Sequence, residues 1–284
     1  MSKMMRRLWI AAVVVILLLT ACGEPERPAF SLETVPAYSS SPYVAVNDNV
    51  PYFTEDQKKD TKSWEEYADL DDLGRCGVTM ACIGRDIMPT EERGAIGQVK
   101  PTGWQTVKYD FVDGKYLYNR CHLIGFQLTG ENANEENLIT GTRYMNVDGM
   151  LPFENMVADY VRETGNHVMY RVTPCFQDEE LVARGVLMEA WSVEDNGEGI
   201  CYCVYVYNVQ PGVTIDYATG RNCLAGETIV TAPQTYILNT NSMKFHEVDC
   251  GQAASISDRN RQESVATREE LIQQGYDPAG CCKP

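Results

Sequence analysis

The stretch Tyr118–Glu154, YNRCHLIGFQLTGENANEENLITGTRYMNVDGMLPFE, decides how the rest of the chain is read. It brings together His122, Asn137, Asn146 and Glu154 in a chain that has three histidines in all. If 118–124 is a strand, side chains alternate, so Arg120 and His122 share one face and Cys121 takes the other. Neighbours on a strand point apart, which disfavours a Cys121–His122 thiol dyad. An imidazole titrates close to neutral pH, so His122 is a candidate general base. The segment 152–163, PFENMVADYVRE, repeats Phe153, Met156, Val157, Tyr160 and Val161 at helical spacing. Pro152 fits its first turn, where a missing N–H has no intrahelical partner. Glu154 then lies in that first turn, rotated off the apolar stripe.

Outward from this stretch, 167–176, 180–193 and 199–209 are rich in Val, Tyr and Cys and read as strands. In the last, Cys201, Cys203, Tyr205 and Tyr207 share one face, and Tyr202, Val204 and Val206 the other. Upstream, 109–126 reads as one or two strands, and 43–53 as an early strand broken at Asn47-Asp48-Asn49. The polar stretch 54–73 is helix-prone. Its acids Glu65, Glu66, Asp69, Asp71 and Asp72 lack calcium-loop spacing and read as a solvated face. The glycine-rich 94–104 (GAIGQVKPTGW) lacks the Gly-Lys-Ser/Thr ending of a phosphate loop and reads as a surface loop with Arg93 and Lys100 at its rim. Together these patterns predict an α+β fold, a mainly antiparallel sheet with one principal helix docked on it. A small separate unit is expected from 233, with its own helix over 267–274.

At 284 residues the chain has room for one full domain and an accessory unit. Its net charge is −16, which repels polyanions at long range. Between Arg93 and Asn146, however, six bases face five acids, so the central stretch is close to neutral. Residues 1–21 have a basic start, an apolar run over 8–19 and Leu19-Thr20-Ala21 before Cys22, the pattern of a lipoprotein signal. Cys22 is therefore expected to carry lipid and anchor the chain outside the cytoplasm of a bacterial cell, with plain secretion as the alternative. Residues 22–42 read as a tether. The ten remaining cysteines are compatible with disulfides, and Cys76 with Cys82 would close a small loop.

The central stretch resembles the bacterial DNA/RNA non-specific endonucleases of the ββα-metal (His-Me finger) class, especially the streptococcal extracellular DNase branch. That family carries Asp-Arg-Gly-His or Asn-Arg-Ser-His on a strand, a loop asparagine, a metal-binding asparagine nine residues later and a glutamate on a helix. Asn119-Arg120-Cys121-His122, Asn137, Asn146 and Glu154 match this order, and the resemblance spans about 43–222. It implies that His122 deprotonates water for attack on a phosphodiester, and that Asn146 ligates one Mg²⁺, with Mn²⁺ as a substitute. It also implies that Glu154 holds metal-bound water and that Asn137 positions the loop or the phosphate. Arg120 and Arg143 are the candidate phosphate contacts. The implied partners are DNA and RNA, with the membrane reached through Cys22 and no protein partner. Cys121 departs from the family's Gly or Ser and is expected to pack or form a disulfide.

The carboxy-terminal segment resembles a small Ada-type metal-binding module. His246 and Cys250 match its first ligand pair and Cys282 its last, while Ala279 replaces the third ligand and leaves Cys281 as a substitute. Zinc held by His246, Cys250, Cys281 and Cys282, or a disulfide from Cys250 to Cys281 or Cys282, are both open. The expected organisation is thus a signal peptide (1–21), a tether (22–42), a nuclease domain (43–232) and a Cys/His module (233–284). Two other functions remain alongside nuclease activity: a non-catalytic surface receptor for DNA uptake, and a thiol- or metal-sensing surface protein.

Overall fold

Short strands come first: β1 (Tyr43–Ala45), β2 (Trp64–Tyr67) and β3 (Thr79–Ile83). A hairpin follows, β4 (Tyr118–His122) and β5 (Leu138–Thr142), with one helical turn, α1 (Phe126–Thr129), in its connection. The long helix α2 (Leu151–Thr164) precedes β6 (Val168–Cys175), β7 (Gly185–Ser192) and β8 (Cys201–Tyr207). A minor hairpin, β9 (Val213–Ile215) and β10 (Asn222–Leu224), leads to β11 (Gln234–Asn239), β12 (Lys244–Glu247), β13 (Arg261–Ala266), α3 (Arg268–Gln273) and β14 (Asp277–Pro278). This computed structural model describes residues 30–227, 229, 233–282 and 284. The expected signal peptide, Cys22 and the start of the tether lie outside the described residues.

The principal sheet is antiparallel with strand order β1-β8-β7-β6-β3-β2. One face presents Tyr170, Val172, Met188, Ala190, Tyr202, Val204 and Val206 to Phe153, Val157, Ala158 and Val161 of α2. The expected division of β8 into two faces is present, with Tyr202, Val204 and Val206 on the helix side. In α2 the stripe is narrower than its spacing suggests: Met156 is exposed, whereas Glu154 is buried. A second sheet, ordered β13-β11-β12-β14, forms a smaller core around Tyr236, Leu238, Phe245 and Leu271. A capping box starts α3: Thr267 Oγ1 accepts from the Glu270 amide and the Glu270 carboxylate accepts from the Thr267 amide.

Several local expectations change. The helix-prone stretch contains β2, because edge pairing to β3 outweighs the helical preference of Glu65 and Glu66. The acidic turn is closed on itself: Asp71 accepts from the amides of Leu73 and Arg75 and pairs with the Arg75 guanidinium at 2.7 Å. Residues 31–42, expected as tether, lie against β8, with the Tyr207 hydroxyl donating to Pro36 O and Tyr38 edge-on to Tyr207. Cys76 and Cys82 are buried in different apolar clusters, Cys76 Sγ donating to the carbonyls of Glu135 and Leu138 and Cys82 Sγ to that of Asp60, which separates the pair expected to bridge.

A bidentate ion pair unforeseen in the sequence joins β6 to β7. Arg171 meets the nearly inaccessible Glu189 at 2.6 and 2.8 Å, and the Tyr52 amide also donates to Glu189.

Candidate active site

β4 and β5 pair in the register His122↔Leu138, and the chain turns from β5 into a helix that begins with a wide π-turn over Met145–Met150 before α2. Such turns carry an extra residue and often mark functional positions. Asn146 sits in it. Gly149 lets this turn rest on the sheet, because a Cβ there would lie 2.3 Å from Val206 Cγ1. The hairpin is tied to the principal sheet by buried Asn208. Its Oδ1 accepts from the Thr142 amide, and its Nδ2 donates to the carbonyls of Thr140 and Ala183.

Cys121 points into the core beside Met145 and Ile139, as strand alternation requires, and it is a free thiol. His122 takes the opposite side and is buried. One ring nitrogen, Nε2, lies 2.7 Å from Asn132 O. A carbonyl only accepts, so Nε2 carries the proton and Nδ1 presents its lone pair. Nδ1 in turn accepts from Arg93 Nη2 at 3.1 Å. Burial and, to a lesser degree, the Arg93 charge push the His122 pKa down to about 4, against the support of the Asn132 carbonyl. The imidazole is therefore neutral at physiological pH, with Nδ1 as its basic atom.

Asn137 is fully buried. Its Oδ1 accepts from the Ile124 amide and its Nδ2 donates to the Ile124 carbonyl, while the Leu123 amide donates to its main-chain oxygen. Both ends of its side chain are thus used in clamping the segment after β4. Of the two roles expected for Asn137, this geometry serves loop positioning. Glu154 packs on the same segment: a Cβ at Gly125 would sit 2.6 Å from Glu154 Oε2. Burial raises the Glu154 carboxyl to about 7, with Arg93 and then the Gln127 amide acting in the other direction.

Beside this pair a cleft of about 600 Å³ is lined by Arg93, Trp104, Asn119, Arg120, Arg143 and Asn146, among others. Asn146 Nδ2 donates to Asn119 Oδ1 at 3.3 Å, which orients the amide and directs Asn146 Oδ1 away from Asn119. The two expected phosphate contacts are already engaged. Arg120 donates to the carbonyls of Gly97 and Val99 and stacks 4.1 Å from the Trp104 ring centre. Arg143 pairs with Asp113 at 2.7 Å and donates to Asn119. The arginine in contact with His122 is Arg93, which the sequence placed merely at a loop rim. Asn119 was visible only as a letter of the motif, and Asn132 acts through its main chain, so its side-chain type signalled nothing.

A β-hairpin followed by a helix, with a histidine closing the first strand and an asparagine opening the helix, defines a ββα-metal nuclease fold. The family model for DNA/RNA non-specific endonucleases matches residues 55–194 of this chain. A deoxyribonuclease of Streptococcus dysgalactiae subsp. equisimilis is 32% identical over 111 residues, covering 37% of this chain and 32% of the relative. The match therefore spans about a third of that relative's length. Among solved structures, metal-free NucA from Streptococcus agalactiae superimposes with a TM-score of 0.58 at 25% identity, covering 68% of this chain and 92% of NucA. The magnesium-bound form of NucA gives 0.56 at 26% identity, covering 63% and 85%.

In the carboxy-terminal unit, His246, Cys250, Cys281 and Cys282 place one ligand atom each within 4.8 Å of one another. His246 Nδ1 lies 3.6, 3.4 and 3.9 Å from the three sulfurs, and Cys250 Sγ lies 3.5 Å from Cys281 Sγ. Ala279 is buried outside the set, its amide donating to Phe245 O. Adjacent Cys281 and Cys282 thus both reach the cluster despite the lost third ligand.

Proposed function

We propose that the protein is a metal-dependent nuclease that hydrolyses phosphodiester bonds in DNA, and in RNA, with little sequence preference. The observation that carries this reading is the His122 ring: the hydrogen bond from Nε2 to Asn132 O leaves Nδ1 as a basic nitrogen beside the cleft. There Nδ1 accepts a proton from an attacking water, and Arg93 is placed to exchange that nitrogen for a substrate phosphate oxygen. Burial in a neutral state keeps His122 ready to accept the proton without first losing one.

The donor set suits magnesium. An oriented amide oxygen on Asn146 and a buried carboxyl on Glu154 are hard oxygen ligands, few in number, as befits an ion that retains most of its waters. Asn146 would hold the ion directly and Glu154 through water. When bound, such a cation stabilises the negative charge that develops on the phosphate and the leaving oxygen. The chain's own contribution is positional: Asn119 sets the Asn146 amide, Asn137 fixes the segment after β4, and Gly125 admits the Glu154 carboxyl.

The test is plasmid and ribosomal RNA cleavage by residues 23–284 with Mg²⁺, Mn²⁺ or EDTA, for the parent and His122→Ala. Cleavage abolished by EDTA and reduced on the order of 10²-fold or more by the substitution is expected. Metal-independent cleavage, or none by the parent, would refute the proposal. Binding of DNA by both proteins without cleavage would instead identify a receptor.

We also propose that the carboxy-terminal cluster holds zinc. Tetrahedral zinc at ~2.3 Å from sulfur spaces its ligands by roughly 3.5–3.8 Å, close to the observed separations. The Glu247 amide donates to Cys282 Sγ at 3.4 Å, the kind of contact that supports a ligating sulfur. One zinc per chain by elemental analysis, with those cysteines slow to alkylate, is expected; a metal-free chain with a Cys250–Cys281 or Cys250–Cys282 disulfide would overturn it. For location, we propose lipid attachment at Cys22 and residence outside the cytoplasm, tested by mass spectrometry of the mature amino terminus.

A further inference from the structure

A second cavity, of about 530 Å³, lies between the loop after Val99 and the carboxy-terminal unit. Its charged side chains are Lys100, Arg221 and Arg268 against one acid, Glu247, so basic side chains outnumber acidic ones in the lining of a strongly acidic protein. Arg268 is almost fully buried and its Nε donates to Pro284 O at 3.2 Å. Arg221 Nη1 is shut from solvent without an acceptor among the described residues. A buried guanidinium donor normally has an acceptor, and Arg221 is part of the cavity lining, where an anionic oxygen would meet the guanidinium. Trp104 and Thr106 line both this cavity and the cleft that holds Asn146, so the two are neighbours across a shared wall. Arg221 and Arg268 fall outside the segment matched to the endonuclease family.

We propose that this cavity is a second phosphate subsite, contacting the backbone of the nucleic-acid strand at a nucleotide flanking the one cut in the cleft. The inference rests on the nuclease reading and adds to it: the carboxy-terminal unit supplies part of the substrate path. Arg221 and Lys100 contact a phosphate with no base edge to read, so the subsite increases affinity for long strands irrespective of sequence. A small diester that fills the cleft alone does not reach it.

The test compares Arg221→Gln, Lys100→Gln and Arg221→Lys with the parent on bis(p-nitrophenyl) phosphate and on a long single strand and duplex. The expected result for both Gln variants is unchanged hydrolysis of the small diester and unchanged kcat on long DNA. KM for DNA should rise on the order of tenfold, and the slope of log KM against log salt should fall by about one. Arg221→Lys should restore most of the affinity. Equal loss on both substrates, or a KM for long DNA within about twofold of the parent, overturns the subsite. If the parent cleaves nothing, anisotropy of a fluorescent 30-nucleotide strand still decides: equal affinity and salt slope for parent and Arg221→Gln refute the subsite independently of the nuclease reading. A pocket that binds inorganic phosphate through Arg221, detected as a melting shift, without any effect on DNA would be a free-anion site, and also overturns it.

Discussion

Glu154 is a carboxyl buried beneath the segment after β4, and only a proton or a cation relieves its charge there. Its folded pKa, about 7, lies above the ordinary 4.5. The group therefore contributes stability fully below about pH 4.5, and that contribution is lost as pH rises through 7. Glu154→Gln should accordingly raise metal-free stability at pH 8 by up to about 3 kcal/mol while abolishing activity, and leave stability at pH 4 unchanged. Urea unfolding in EDTA at the two pH values measures this; a variant less stable than the parent at pH 8 would contradict it. Gly125 makes a companion case. Its backbone is ordinary for any residue, but a Cβ would press on Glu154. Gly125→Ala should fold and lose about 10²-fold in kcat, since a displacement near 1 Å at a catalytic group costs that much; wild-type turnover would exclude the contact. His122, Asn146 and Glu154 were legible as candidates because the roles proposed for them belong to side chains at characteristic spacings. Arg93 was not, since its loop approaches His122 only through tertiary folding.

At the level of elements, the long segments with strong periodicity were readable: α2, β6, β7 and β8 fall where Val, Tyr and Phe recur. The short ones were not. β2 has helix-forming glutamates and is a strand only because β3 offers an open edge. Residues 31–42 have no period, and dock through the Tyr38 and Tyr207 rings. Asn208 was equally invisible, a polar residue after a strand that becomes the bolt between hairpin and sheet. Asn208→Ala strands an amide and two carbonyls in the interior, and should destabilise the protein by about 3 kcal/mol. Denaturant titration checks this; because the hairpin carries His122, activity should fall at temperatures where the variant is still mostly folded. A loss below about 0.5 kcal/mol would mean water replaces the side chain without cost.

For the molecule as a whole, on the proposed function, a charge of −16 opposes DNA at a distance while Arg93, Lys100 and Arg221, which line the two cavities, would attract it at contact. Salt weakens both, but screening acts first on the longer-ranged repulsion, over a Debye length of about 10 Å at 0.1 M. Initial rates on long DNA should therefore pass through a maximum at intermediate ionic strength. A monotonic fall from the lowest salt would show that contacts alone govern binding. Trp104 stands between the two cavities, under the Arg120 guanidinium. Trp64 and Trp191 belong to another cluster, beside Phe53. The wall between cleft and subsite is thus also an intrinsic fluorophore: with the other indoles replaced by Phe, its emission would report in real time a strand arriving on either side, without a label on the protein or on the nucleic acid.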